Sequence, residues 1–299
     1  MSALCELYSD TAIEKIELFD LSKASTYRIG GLAKLALFPK SEAELITSIN
    51  VAKNNNVRFE IIGNGSNVLF SDSGFDGVII FTNKINTIFL NGTEIVAQTG
   101  AKLVSVSSLA HKNSLTGFEF AHGIPGTVGG AIVMNAGAYG GDMSGVVVSS
   151  KYYNTNTNKI EEISLDDHKF SYRSSLFAID KSLVFLSTII RLQHGNKSDI
   201  LEKISKNSES RKKSQPLEYP NCGSFFKRPE GYFAAKLIDD AGLKGRTVGG
   251  AMVSTKHAGF IVNFSGATSR DVLELAAIVE NEVYDKFGVK LEKEVKYIF

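Results

Sequence analysis

The chain has 299 residues, 43% of them hydrophobic, and its 33 Lys+Arg against 32 Asp+Glu leave a formal net charge of +1. That is enough chain to bury a core and to divide into two domains. A charge this close to neutrality excludes a global field that would draw the protein onto nucleic acid or an anionic membrane, so any anion site must be local.

The opening MSALCELYSD carries Glu6 and Asp10 where a secretory leader would have a basic and then an apolar segment. No apolar run reaches the roughly 18 residues of a membrane helix. Cys5 and Cys222 are too few for a disulfide framework or a zinc site of their own, which fits a reducing compartment. The expectation is a soluble cytoplasmic protein that does not insert into a membrane.

In chain order, 41–54 begins with Ser41-x-x-Glu44, a capping-box pattern, and places Leu45, Ile49 and Ala52 at helical spacing. A strand is expected at 58–62, entering the loop GNGSN at 63–67, and another at 77–82. A helix is expected over 99–115. The runs 146–153 and 159–163, separated by the turn-rich NTNTN, read as a hairpin, and 183–192 as a further strand.

The polar segment 197–215 reads as a surface helix leading to the next domain. Beyond it come a helix at 232–241, strands at 248–254 and 259–264, and a helix at 269–287. That last helix carries Val272, Ala276, Val279, Val283 and Phe287 on one stripe, with Gly288 as C-terminal cap. A final strand sets Val289, Leu291, Val295 and Tyr297 on one face and Glu292, Glu294 and Lys296 on the other. Helices and strands do not alternate strictly, so the class is α+β.

There is no GxxxxGK[ST] loop, HExxH, CxxC or GxSxG, and the five histidines lack metal-ligand spacing, so no metal is expected. GNGSNV fails the dinucleotide fingerprint because Val68 stands where the third glycine belongs. What remains is three small-residue loops in the first half: YRIGG (27–31), GNGSN (63–67) and GIPGTVGGAIVMNAGAYG (123–140). Successive free N–H groups in such loops form concavities suited to a pyrophosphate, and three of them suffice to wrap a dinucleotide. The plainer reading is three unrelated turns.

The stretches YRIGG, GNGSNVLFSDSGFDGVII, GFEFAHGIPGTVGGAIVMNAGAYGGD, YRSSLF, SESRKKSQPLEYPNCGSFFKRP, GLKGRTVGGAMVSTKHAGFIVN and LEKEVKYI together resemble the UDP-N-acetylenolpyruvoylglucosamine reductase family, flavoenzymes of peptidoglycan precursor synthesis. They run in the family's order over 27–298. The resemblance implies an FAD-binding fold of the vanillyl-alcohol-oxidase type over 1–195, in lobes 1–70 and 71–195. A smaller α+β substrate-binding domain would follow over 196–288, then a C-terminal strand, 289–299, that returns a glutamate to the active site. The implied cofactor is non-covalent FAD, with NADPH as reductant and a UDP-sugar as substrate.

On the same resemblance, cofactor contacts fall to Tyr27, Arg28 and Gly30, to Gly63, Asn64, Gly65, Ser66 and Asn67, and to Gly123, Ile124, Pro125, Gly126, Thr127, Gly129 and Gly130. Ser224 matches the proton donor, Arg173 the partner of the substrate carboxylate, and Glu294, rather than Glu292, the catalytic glutamate. Tyr172, Lys227 and His257 are expected at the substrate. Taken alone, Ser224 reads as a turn serine beside Gly223, Arg173 as a solvated surface arginine, and Glu294 as the polar side of a half-exposed strand. Arg211, Lys212 and Lys213 are weaker candidates, since such charge runs are usually solvated.

Gly259 departs from the family pattern, standing in HAGF where asparagine is usual. The short segment between YRSSLF and GSFFK resembles the family form without an inserted tyrosine-bearing loop. The alternatives are a flavin oxidase of the same fold and a non-catalytic nucleotide-binding protein. GNGSN offers no histidine for covalent flavin attachment, and the chain keeps both Ser224 and Glu294.

Overall fold

The computed structural model describes residues 2–299 and divides into two compact units. The first comprises the described residues up to Lys15 together with Leu37–Asn64 and Ile79–Arg211; the second comprises Ile16–Ala36, Gly65–Val78 and Lys212–Phe299. No described helix is long and apolar enough to cross a membrane.

The first unit is built on a five-stranded antiparallel sheet in the spatial order Lys159–Ser164, Val147–Asn154, Leu183–Arg191, Glu94–Gln98, Ile88–Asn91. Period-2 patterning is plain in Glu94–Gln98, where Ile95 and Ala97 are buried while their neighbours are half-exposed, whereas the central strand Leu183–Arg191 is buried on both faces from Val184 to Thr188. Leu103, Val106 and Ala110 of helix Leu103–Lys112 cover that face, joined by Val128, Ala131 and Ile132. Helix Glu42–Asn54 starts as its sequence implies, with Ser41 Oγ accepting the Glu44 N–H at 3.1 Å.

The second unit has a three-stranded antiparallel sheet, Thr247–Val248, Ala251–Val253 and Ile261–Asn263, packed by helix Ser269–Phe287. The helix buries Val272, Leu275, Ala276, Val279 and Val283 completely. Thr268 and Asp271 form a capping box, and Gly288 closes the other end in the left-handed region at φ +67°. Asp72 adds a second cap, its carboxylate accepting from Ser269 N (2.8 Å), Ser269 Oγ (2.7 Å) and Arg270 N (3.3 Å). Strand Lys296–Ile298 pairs in parallel with Val68–Phe70.

Several local expectations differ from what forms. The strand expected over 248–254 is two strands about a turn, because Gly249 (φ +51°) leaves no room for a Cβ against the Asp271 carboxylate. The 99–115 helix is confined to Leu103–Lys112, since Thr99 and Ala101 instead bond the glycine-rich segment through Gly129 N and Val128 N, both at 2.8 Å.

The long loop over 123–140 contains a short helix, Val128–Met134. Strands Glu14–Asp20 and Leu32–Phe38 were not expected at all. The C-terminal strand is limited to 296–298, where Ile298 rather than Tyr297 is buried. Leu291 and Val295 are buried as expected.

Candidate functional site

In the first unit the glycine-rich segment folds against its own protein as much as toward a ligand. Thr127 caps helix Val128–Met134, its Oγ1 accepting from Gly130 N at 3.4 Å. A Cβ on Gly129 would stand 2.3 Å from Thr99 Oγ1, and one on Gly63 the same distance from Thr127 Oγ1. These two glycines are demanded by internal packing. At Gly130, which is exposed, the nearest atom to a Cβ is Thr127 Oγ1 at 3.6 Å, an ordinary van der Waals contact, so a methyl is accommodated there. Asn64 donates from Nδ2 to the Pro125 carbonyl at 2.6 Å, tying the GN end of GNGSN to the Ile124-Pro125 turn.

The same unit carries Arg173 in a two-residue turn, closed by Ser171 N→Ser174 O (3.0 Å) and Ser174 N→Ser171 O (3.2 Å). Arg173 sits at φ +56°, a conformation that costs a non-glycine residue about 1 kcal/mol. Its Nη2 donates to the Gly137 carbonyl at 3.4 Å, and its guanidinium lies 5.1 Å from the ring centre of the exposed Tyr172. Asn135, missed in the sequence, anchors this turn. In the left-handed region at the end of helix Val128–Met134, it donates from Nδ2 to Ser171 O (3.2 Å) and accepts from Ser144 N (3.0 Å). An asparagine directly before Ala-Gly was the available signal.

In the second unit Tyr27 is wholly buried and its hydroxyl donates to the Ile261 carbonyl at 2.6 Å, so its side chain belongs to the core. Burial holds that phenol well above its usual range, with the Cys222 thiol adding to the effect. Arg28 is exposed at φ +54°. Gly30 allows the chain to pass Phe70, whose Cβ would lie 2.8 Å from a side chain there. Gly65 (φ +59°) lies against the Ala24 carbonyl, 2.0 Å from where a Cβ would stand.

Ser224 and Glu294 come from distant sequence but from neighbouring backbone. Glu294 N donates to the Phe225 carbonyl at 2.8 Å, Lys227 N to the Glu292 carbonyl at 2.8 Å, and Asn67 Nδ2 to the Glu294 carbonyl at 3.1 Å. Ser224 is exposed, and its hydroxyl bonds no described residue. Lys227 forms an exposed ion pair with Glu292 at 3.3 Å, an interaction worth at most about 1 kcal/mol and readily exchanged for a ligand.

His257 accepts from Gly259 N at Nδ1 (3.2 Å) and packs edge-on to Phe260. Burial, with Lys244 nearby, holds it below the usual histidine range and neutral. The unusual Gly259 has a physical cause here, since a Cβ would stand 3.1 Å from the His257 ring. The Cys222 thiol is buried, donates to Val68 O at 3.1 Å, and is pushed by burial up to about 12.

The residues fit an FAD when backbone donors are considered unit by unit. In the first unit the N–H groups of Asn64, Gly126 and Thr127 find no acceptor among the described residues, and in the second those of Gly65 and Ser66 find none. Thr127 and Gly65 are buried. Buried amides are nearly always paired, so amides left without a protein partner mark donors kept for an anionic ligand.

Comparison with known proteins agrees with this chemistry. Residues 33–156 match the family model described as an FAD binding domain, and residues 215–298 match that of the UDP-N-acetylenolpyruvoylglucosamine reductase C-terminal domain. A UDP-N-acetylenolpyruvoylglucosamine reductase of Clostridium perfringens (strain SM101 / Type A) is 45% identical over 278 residues, covering 93% of this chain and 91% of that protein. One from Clostridium botulinum (strain Eklund 17B / Type B) is 44% identical over 292 residues, covering 98% and 95%. The crystal structure of the Thermus caldophilus enzyme superposes with a TM-score of 0.80 at 29% identity, covering 96% of this chain and 99% of that one.

Proposed function

The chain belongs to the UDP-N-acetylenolpyruvoylglucosamine reductase family of FAD-dependent oxidoreductases, and from that premise we propose that it uses NADPH to reduce UDP-N-acetylglucosamine enolpyruvate to UDP-N-acetylmuramate. FAD, when bound, supplies the hydride taken up at C3 of the enolpyruvyl ether, and NADPH is its source. The product is a peptidoglycan precursor, and the cytoplasm is the proposed location.

The chain's own residues must then manage charge and one proton. Charge accumulates at C2 and on the neighbouring carboxylate as C3 is reduced, and Arg173 is the group assigned to hold that carboxylate. A guanidinium fixed by its turn and by Gly137 loses little freedom on pairing. Ser224 supplies the proton to C2. A hydroxyl is a weak acid and serves only where it is already held at the developing carbanion. Glu294 acts beside it on the proton path, while Lys227, Tyr172 and His257 bind the UDP-sugar. The domain roles follow the same reading, with flavin contacts concentrated in 1–195, substrate contacts in 196–288, and the segment 289–299 delivering Glu294.

The observation that carries the reading is the backbone bond from Glu294 N to Phe225 O. It holds a serine with a hydroxyl that bonds no described residue next to a glutamate seventy residues further along the chain, as a positioned donor requires. The test is anaerobic. Protein whose flavin has been reduced with NADPH should regain its oxidised absorbance when the enolpyruvate substrate is added. Ser224→Ala should leave reduction by NADPH near normal and slow the substrate-driven step by about 10²–10⁴-fold. Equal loss in both half-reactions removes Ser224 from its role, and reoxidation by oxygen but not by substrate makes the protein an oxidase.

A further inference from the structure

His168 is wholly buried in the first unit, and nothing in the chemistry above calls on it. Its Nδ1 lies 2.7 Å from the Ser164 carbonyl, and its Nε2 lies 2.7 Å from Ser150 Oγ on strand Val147–Asn154. A carbonyl only accepts, so Nδ1 carries the hydrogen. Burial holds the ring below the usual histidine range, against the backbone of Ser164 and Leu165 and the charge of Asp167, so the ring is neutral and Nε2 accepts from Ser150 Oγ. Thr188 Oγ1 stands 3.0 Å beyond that hydroxyl and donates to the Ser149 carbonyl at 2.8 Å, which ties the imidazole to two neighbouring strands of the sheet. A buried imidazole is costlier than an apolar side chain of its size unless its polar edges fix something the fold requires.

What it fixes is the segment that carries Arg173. Phe170, directly before the turn Ser171–Ser174, stacks on the imidazole with ring centres 4.8 Å apart and planes at 15°. Phe177, just past the turn, meets the same imidazole edge-on at 5.9 Å and 69°. It also lies edge-on to Tyr152 at 5.9 Å and to Phe185 at 5.7 Å, both on the sheet. Both arms of the turn therefore rest on one side chain.

The turn needs such support. Lys169 stands at φ +49° and Arg173 at φ +56°, so two residues with a Cβ occupy the left-handed region within five positions. Conformations of this kind persist only where the surrounding packing over-determines them. Asn135 Nδ2 donates to Ser171 O at 3.2 Å and Ser175 Oγ to Val133 O at 2.9 Å, tying the turn to the end of helix Val128–Met134. Through His168 it is tied to the sheet.

We propose that His168 is a positioning residue for Arg173, holding the turn so that the guanidinium is presented in one place. The proposal rests on the role given to Arg173 above and deepens it by naming the group that fixes that arginine. A displacement of about 1 Å in a group that must meet developing charge slows a step by about 100-fold.

The test uses the full-length, flavin-loaded protein and times two half-reactions separately: reduction of the flavin by NADPH, and its reoxidation by the enolpyruvate substrate. His168→Leu, of similar volume but with neither hydrogen bond nor ring, is expected to leave the first within about 2-fold and to slow the second by about 10- to 100-fold. His168→Asn, whose amide can still donate to Ser164 O, should recover part of that loss. In an Arg173→Ala background, His168→Leu should slow the second half-reaction by no more than about 2-fold further, because the group it positions is already gone.

Equal slowing of both half-reactions, or losses from His168→Leu and Arg173→Ala that multiply, make His168 an ordinary core residue and overturn the proposal. Should His168→Leu fail to fold, Phe170→Leu is read in the same way, since it removes the stacked ring and leaves the imidazole its bonds. A several-fold loss confined to the substrate step, and absent in the Arg173→Ala background, is then expected; any other pattern overturns the proposal. Arg173→Ala that reoxidises at the wild-type rate, or wild-type protein that substrate does not reoxidise, overturns the functional reading and the proposal with it.

Discussion

Gly129 and Gly130 are adjacent in one turn of helix, yet alanine is expected to act on them in opposite directions. At Gly129 the new methyl meets Thr99 Oγ1 at 2.3 Å and the Thr99 carbonyl at 2.9 Å. Thr99 cannot retreat, because it is buried and its backbone is bonded to Leu186 O and Gly129 N, both at 2.8 Å. Overpacking of this kind costs about 1–3 kcal/mol. At Gly130 the nearest atom is Thr127 Oγ1 at 3.6 Å and the residue is helical, so alanine should stabilise the ligand-free chain by about 0.5–1 kcal/mol.

The assay is urea unfolding of flavin-stripped protein beside a fluorescence titration with FAD. Gly129→Ala should lower the unfolding midpoint. Gly130→Ala should raise it while weakening FAD binding, because the functional reading proposed above assigns Gly130 to the cofactor. If Gly130→Ala lowers the midpoint as much as its neighbour does, the methyl is not accommodated in solution; if it leaves FAD affinity intact, Gly130 does not belong to the cofactor site. Either result refutes the reasoning.

Asp72→Ala removes three acceptor contacts from the start of helix Ser269–Phe287 and should destabilise the protein by about 1–3 kcal/mol, with Asp72→Asn retaining part of the loss; an unchanged melting temperature would contradict the cap. His257 and His168 are both held by burial below 6.5, so each binds fewer protons folded than unfolded. Their contribution to stability is whole above about pH 6.5 and is lost as the pH falls through the lowered folded values. A melting temperature that stays flat between about pH 7.5 and 5.5 would refute this.

Cys222, buried and held up at about 12 by burial, should resist alkylating reagents in the native protein and react on unfolding. Rapid native-state modification would show that the thiol is exposed.

Helix Ser269–Phe287 was legible because its burial stripe, its capping residues and Gly288 all agree with one another. The short helix at 128–134 was not, because two glycines in its first turn argue against a helix, and its support comes from Thr127 Oγ1 and the carbonyls of Thr99 and Ala101. The Arg-Lys-Lys run at 211–213 offers three equally weak candidates in the sequence, but its first member is half-buried while Lys212 and Lys213 are exposed; a local charge pattern carries no information about which member turns inward. Tyr27 was legible as a position but not as a core residue, since its partner Ile261 lies far along the chain. Ser224 and Glu294 were identifiable only through motif resemblance, because the hydrogen bond that makes them neighbours joins backbone atoms and leaves no mark on residue type.

The parallel pairing of Lys296–Ile298 with Val68–Phe70, and the Asp72 cap on a helix that begins at Ser269, bear on how the protein is made. During synthesis the segments 16–36 and 65–78 leave the ribosome long before their partners in 212–299 exist. The first unit, closed at Arg211, has all its strands in hand earlier. Leu69, Phe70 and Ile29, each buried in the finished protein, must therefore wait with apolar surface uncovered. This interval is where aggregation during expression is expected to start.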